Sequence, residues 1–198
     1  FLYNTLDSII WMIQSKKYEG AGKMVSMLAK FFRISLSQGK DIIPLQKELE
    51  HAVSYLSIQN VRFQDKFTFT VDWDEKLADC LCPKLVIQPL LENAVYHGME
   101  GMYEDGEIQL KIYAVNELVH IDVIDNGEGM TEAQVQKMMQ GDVVSSKRGS
   151  GIGVKNVNDR IKLYFGEAYG VQIISAPDEG TTARIYFPMR RQEDETEK

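Results

Sequence analysis

Two glycine clusters, one closing a strand and one opening a helix, constrain this chain more than any other feature. Residues 119–125, VHIDVID, alternate apolar and polar side chains, the signature of a half-buried strand. They run into Asp125-Asn126-Gly127-Glu128-Gly129-Met130. Gly127 and Gly129 allow a sharp turn and a close approach of backbone to a flat ligand. After residues 131–148, Gly149, Gly151 and Gly153 precede a helical pattern, VKNVNDRIKLYF. Glycines there leave free N–H groups converging on one point, an arrangement that favours phosphate. One loop thus offers a carboxylate and the other an anion cradle, which together suit a nucleotide. The second cluster is not a dinucleotide fingerprint, because its spacing is GxGxG and no βαβ unit surrounds it. It also lacks the Gly-Lys-Ser/Thr of a P-loop.

Four segments occur in the order QPLLENAVYHG, DNGEGM, GSGIGVKNVNDRIKLYFG and EGTTARIYF. This order resembles the GHKL ATP-binding domains shared by histidine kinases, gyrase, Hsp90 and MutL. In detail it is similar to the LytS/YehU/YesM-like branch of sensor histidine kinases. The resemblance covers residues 84–188, with a weaker match at the N-terminus. It implies an α+β fold: a GHKL (Bergerat) α/β sandwich with a mixed sheet and helices on one face, preceded by an N-terminal helical hairpin. The expected division is a helical dimerisation region at 1–65, an ATP-binding kinase domain at 66–190 and a disordered charged tail at 191–198.

The remaining pattern fits that division. Apolar residues at helical spacing predict helices over 1–18 and 21–37, with a tight turn at Glu19-Gly20 and Gly22. The hairpin's apolar face calls for a cover: a second hairpin, giving a four-helix dimer, or the chain's own domain. A third helix is predicted from Pro44 to about Asp65, a strand at 67–74 and a helix at 84–98. Residues 106–125 read as a β-hairpin turning near Asn116. Helices are expected at 131–140 and 153–165, and strands at 171–176 and 181–187. Cys80 and Cys82 cannot form a four-cysteine zinc site and read as small hydrophobes rather than a disulfide, fitting a reducing cytoplasm. A net charge of -7 argues against a general nucleic-acid surface. No apolar run approaches a membrane span. The opening FLYNTLDSI, with no initiator Met, reads as the start of an excised fragment, so membrane attachment would lie in absent upstream segments. The resemblance implies the cytoplasmic domain of a bacterial membrane protein.

The resemblance also assigns site residues. Asn93 matches the Asn whose amide oxygen binds Mg2+ bridging the phosphates, and Glu92 beside it would orient a metal-bound water. Magnesium takes hard oxygen ligands and retains waters, so one amide plus phosphates suffices. Relatives that use a carboxylate or amide four residues before the Asn have it where this chain has Pro89, with Gln88 adjacent. Many place Lys where Tyr96 stands; His97 is the substitute phosphate contact. Asp125, an acceptor only when ionised, suits the exocyclic amine of adenine and rejects a guanine carbonyl. Thr181 or Thr182 would support it, directly or through water. Residues 131–148 resemble the lid over ATP, with Lys147 and Arg148 reaching phosphates on closure. Asn156 and Arg160 share one face of the following helix, Asn156 within reach of the nucleotide and Arg160 either there as well or structural.

The histidines define the expected reaction. His51 lies in KELEHAV and reads as solvated; His120 lies in a strand and reads as packed or surface. The phospho-accepting His of the resembling kinases sits in an NPHFL-type motif, and FLYNTLDSI matches the residues on its C-terminal side. The acceptor is therefore expected just upstream of Phe1. The function implied is the core of a two-component sensor kinase: a homodimer that binds Mg-ATP and donates the γ-phosphoryl to that His, for relay to an Asp of a response-regulator receiver domain. The alternatives are a GHKL ATPase clamp, which needs a carboxylate where Pro89 sits, and a nonenzymatic nucleotide-binding dimerisation module.

Overall fold

The computed structural model describes residues 1–36, 39–64, 66–98, 105–142 and 152–191, and the side chains of all of these except 97 and 98. The charged tail expected after residue 191 lies outside the described residues. The elements in order are α1 (Leu2–Gln14), α2 (Tyr18–Leu36), β1 (Ile42–Pro44), α3 (Leu45–Arg62), β2 (Phe67–Trp73), β3 (Leu81–Pro83), α4 (Gln88–Asn93), a π-helical turn (Ala94–Gly98), β4 (Gly106–Val115), β5 (Leu118–Asp125), α5 (Glu132–Gln140), α6 (Ile152–Phe165), β6 (Gly170–Ser175) and β7 (Thr181–Pro188). A short 3-10 turn at Glu75–Leu77 precedes β3.

The main sheet has the order β2-β4-β5-β7-β6. β2 pairs with β4 in parallel, and the other pairs are antiparallel, so the sheet is mixed. Its alternation is visible in the burial pattern. Ile108, Leu110 and Ile112 of β4, Val119, Ile121 and Val123 of β5, and Ala183, Ile185 and Phe187 of β7 are buried on one face. The π turn packs on β4 and β5, α6 on β6 and β7, and α3 on β2, covering that face. On the other face Arg184 grips its cross-strand partner Asp122 with two bonds of 2.8 Å, and the Tyr113 hydroxyl donates to the same carboxylate at 3.0 Å. His120 is stacked between Tyr113 and Tyr186. β4 and β5 turn through Asn116 and Glu117, both at positive φ (49° and 64°), as a two-residue hairpin requires.

The helical region departs from the sequence reading in three places. The turn between α1 and α2 falls at residues 15–17, not at the glycines, which lie inside α2. Lys16 takes φ +60°, and Lys17 N–H reaches back to Met12 O at 2.8 Å, so α1 closes in a Schellman-type cap built on lysine. β1 and β3 pair as a small two-stranded ladder with no counterpart in the predicted elements. Three-residue strands are too short to display a period.

α2 packs on α3 through Met24, Leu28, Phe31 and Ile34, while α1 leaves Leu2, Leu6, Ile10, Trp11 and Ile13 exposed. The hairpin therefore packs on its own chain through one face and keeps an apolar stripe on another. α3 lies between α2 and the sheet domain and is buried almost all round. This overturns the reading of His51 as solvated: it is fully buried, stacked on Phe31 with centroids 4.3 Å apart, and 2.8 Å from Ser35 Oγ. Ser35 donates its own proton to Phe31 O, which assigns the donor role in the Ser35–His51 bond to His51 Nε2.

Burial pushes the His51 pKa down from 6.5 to about 4. The unfolded chain takes up this proton below pH 6.5, whereas the fold resists it until about pH 4. Stability is therefore whole above pH 6.5 and is lost as the pH falls towards 4, by on the order of 2–3 kcal/mol. Denaturant midpoints followed from pH 7 to pH 4 are expected to fall more steeply for the wild type than for His51→Phe. Parallel curves would refute the assignment.

Candidate nucleotide site

β5, the central strand, carries Asp125 at its C-terminal end with its side chain on the helix-covered face, 9% exposed. Its Oδ1 accepts the Gly127 N–H at 3.0 Å, and the backbone of Thr181 donates to it as well. Burial raises its pKa from 3.8 to about 6, and the two backbone donors hold it from rising further. The carboxylate is thus mostly ionised at neutral pH, with its remaining lone pairs free to accept from a ligand amine.

Two glycines allow the loops around Asp125 to close on each other. Gly129 has φ +65°, and a Cβ on it would lie 1.9 Å from Ala176 O; Gly180 has φ +79°, and its Cβ would lie 2.1 Å from Asp125 O. Ser175, which no sequence motif singles out, ties the junction. Its hydroxyl donates to Gly180 O at 2.8 Å, accepts the Met130 N–H at 2.8 Å, and lies 2.9 Å from Thr181 Oγ1. One donor and two acceptor positions are all used. Asn126 anchors the loop to β4 by accepting from Glu107 N–H at 2.7 Å and donating to Asp105 O at 2.9 Å. Thr181 stands opposite Asp125 and shares its face; Thr182 stands opposite Ile124, and strand alternation directs it to the other face.

α4 carries Glu92 and Asn93, both half-buried, while Leu90 and Leu91 fix the helix in the core. Glu92 accepts from Gln88 Nε2 at 2.8 Å. The Asn93 amide has no hydrogen-bond partner among the described residues, although the helix that bears it is packed. The π turn comes immediately after it, and such turns concentrate at functional positions. Tyr96 accepts from Gln59 of α3 at 3.3 Å and meets Phe63 edge-on, so it faces α3. The His97 side chain lies outside the described residues. So do Lys147, Arg148, Gly149 and Gly151, and with them residues 143–148 of the lid. Gly153 is described: a Cβ there would come within 3.4 Å of Pro89 Cβ, so the first turn of α6 rests on the first turn of α4. Asn156 is exposed, and Arg160 donates to Lys84 O at 2.7 Å, a structural contact.

α4 thus packs against the start of α6, and the π turn that follows it packs on β5, the strand that carries Asp125. Among the described residues no three His, Cys, Asp or Glu side chains converge on a metal position. An unpartnered amide oxygen at Asn93 fits a hard cation whose other ligands are phosphate and water.

The sequence pattern of the histidine kinase-, DNA gyrase B- and HSP90-like ATPases matches residues 79–191, and that of the histidine kinases matches residues 1–67. The chain belongs to the sensor histidine kinase family. It is 38% identical to sensor histidine kinase YesM of Bacillus subtilis, covering 97% of this chain and 32% of YesM. It is 31% identical to sensor protein LytS of Bacillus anthracis, covering 98% of this chain and 33% of LytS. This histidine kinase chain thus spans about a third of the length of these curated relatives. Among solved structures it superposes on the Acinetobacter baumannii histidine kinase AdeS with a TM-score of 0.56 at 14% identity, covering 96% of this chain and 94% of that one. The histidine kinase domain of the blue-light activated kinase from Erythrobacter litoralis gives 0.57 at 17% identity, covering 89% and 83%. At these identities the superpositions speak for the fold, and the GHKL sandwich is the fold of this kinase chain.

Proposed function

We propose that residues 66–190 bind Mg-ATP and donate its γ-phosphoryl to a histidine other than His51, His97 and His120. The observations that carry this reading are a buried Asp125 carboxylate at the end of β5 and an unpartnered Asn93 amide immediately before the π turn that packs on β5. Asp125 takes the adenine amine, with Thr181 behind it. Asn93 would hold Mg2+, which would supply charge neutralisation on the phosphates, and Glu92 would orient a water beside it. Gly127 and Gly129 let the backbone approach the base. Gly149, Gly151, Gly153, Lys147, Arg148 and His97 are assigned to the phosphates. Transfer breaks the bond between the γ-phosphorus and its bridging oxygen, forms one to an imidazole nitrogen and releases ADP. The work of the protein is positioning and electrostatic.

Pro89 resting on Gly153 occupies the position where a clamp ATPase would need its carboxylate, which favours phosphoryl transfer over ATP-driven closure. The exposed stripe of α1 supports a homodimer of hairpins, and a response-regulator receiver domain is the further partner. No described helix is long and apolar enough to cross a membrane, and we assign this part of the protein to the cytoplasmic side, where ATP is available.

His51 and His120 are poor acceptors, one buried and hydrogen-bonded and the other stacked between two tyrosines. Calorimetry is expected to show ATP binding that strengthens with Mg2+ and GTP binding that is far weaker. Incubation with γ-labelled ATP and Mg2+ is expected to leave the chain unlabelled at its three histidines. Equal affinities for ATP and GTP would remove the adenine assignment, and acid-labile label on His51, His97 or His120 would relocate the acceptor.

A further inference from the structure

Glu48 lies within α3 in the run KELE, which reads as a charged helix surface, yet it is 0% exposed. Its carboxylate is spent entirely on three successive backbone donors just ahead of α4. Oε2 accepts from Leu85 N–H at 2.8 Å; Oε1 accepts from Val86 at 2.8 Å and Ile87 at 2.9 Å. The donors lie at the start of a helix whose own cap position, Ile87, has no side chain able to satisfy them. Leu85 takes φ +59°, a conformation rare for leucine, and adjacent N–H groups in such a bend turn towards one point. The same segment is held from two other directions. Arg160 of α6 donates to Lys84 O at 2.7 Å, and Lys84 N–H donates to Asp41 O at 3.0 Å. Lys84 Nζ also lies 3.4 Å from Asp41 Oδ1.

We propose that Glu48 is a positioning residue of the nucleotide site, through which helix α3 sets the placement of the helix that carries Asn93. From Ile87 to Asn93 the chain is continuous helix, anchored by Leu90 and Leu91, so a displacement at the carboxylate is carried to the Asn93 amide without a flexible link. α3 is also the helix on which the hairpin packs, so a rotation of the hairpin reaches α4 through this contact, beside the Gln59–Tyr96 bond to the π turn. Burial of Glu48 raises its pKa and the three N–H donors oppose the rise, so its acceptor role depends on their staying aligned. The inference rests on the reading of Asn93 as the Mg2+ ligand, but one arm of its test does not.

The test compares the wild type with Glu48→Gln and Glu48→Asp. Amide exchange is measured across residues 85–96 and across β4 and β5, and ATP affinity is measured with and without Mg2+. Glu48→Gln is expected to speed exchange selectively in 85–96 and to reduce the Mg2+-dependent gain in ATP affinity by about tenfold, as loss of an outer support does at metal sites. ATP affinity without Mg2+ should move little. Glu48→Asp keeps the charge and the acceptors but is one methylene shorter. It is expected to restore most of the stability without restoring the Mg2+-linked gain. This variant also serves should Glu48→Gln fail to fold. Exchange that rises evenly over the whole chain, or a Mg2+-linked gain that Asp restores together with stability, would overturn the proposal. A wild type whose ATP binding ignores Mg2+ would refute the metal reading instead, and selective exchange at 85–96 would still decide whether Glu48 holds α4.

Discussion

Asp125→Asn is expected to lower ATP affinity by about 10–100-fold, the cost of a charge-assisted bond replaced by an amide that can turn a donor towards a donor. The enclosure of the carboxylate is what makes the effect large. Asp125 is 9% exposed and its neighbours Gly127 and Thr181 contribute backbone N–H groups, so water does not readily replace the lost acceptor. The same residue predicts a pH profile. Its pKa in the fold is raised to about 6, so the folded chain takes up a proton between pH 6 and pH 3.8 that the unfolded chain does not yet hold. Burial of the charge therefore costs stability above pH 6, and acid relieves that cost; the sign is opposite to that of His51. Protonation also converts an acceptor into a donor, so ATP affinity is expected to be level above pH 7 and to fall as the pH drops through 6. Calorimetry at pH 5.5 and 7.5 checks both parts. A wild type with flat affinity, or an Asn variant that binds ATP normally, would show that adenine is not read by this carboxylate.

Gly129→Ala is expected to destabilise the chain by about 3 kcal/mol or more, because strain at a left-handed φ and a backbone collision add. Its Cβ would lie 1.9 Å from Ala176 O and 3.0 Å from Gly180 O, both backbone atoms that have no rotamer to yield. Relief requires the loops to part, which releases the Met130–Ser175 and Ser175–Gly180 bonds beneath Asp125. Gly22→Ala is the control: it lies within α2, and a Cβ there meets nothing within 4 Å. It is expected to stabilise by about 0.5–1 kcal/mol through helix propensity. Denaturant midpoints of the two variants moving in the same direction would contradict the geometry.

The parts of this architecture that repeat along the chain were legible before any coordinates. Alternation gave the β4–β5 hairpin with its turn at Asn116, and the glycine spacing after VHIDVID located the loop that carries Asp125. The parts set by what packs where were not. His51 and Glu48 look polar and exposed in KELEHAV, and only the enclosure of α3 between α2 and the sheet domain reverses that. The α1–α2 turn passed over two glycines in favour of Lys16, because a Schellman cap needs one left-handed residue and tertiary packing chose where. Ser175 has no local signature; its role exists only once β6 and β7 bring residues 130, 175, 180 and 181 together.

The parallel pairing of β2 with β4 has a consequence for the order in which the molecule assembles. The β4–β5 and β6–β7 ladders join neighbours in sequence and close short loops. β2, by contrast, reaches β4 only after the intervening β3, α4 and π turn have been carried across, and the Glu48 contacts bridge separations of 37 to 39 residues. Chain entropy must be overcome before such distant contacts return any stabilisation, so local hairpins precede them. Asn93 lies inside that crossover and Asp125 inside a hairpin. The two halves of the proposed nucleotide site therefore meet late in folding, and a ligand that needs both selects the finished chain, adding its binding free energy to the stability of the whole rather than of either part.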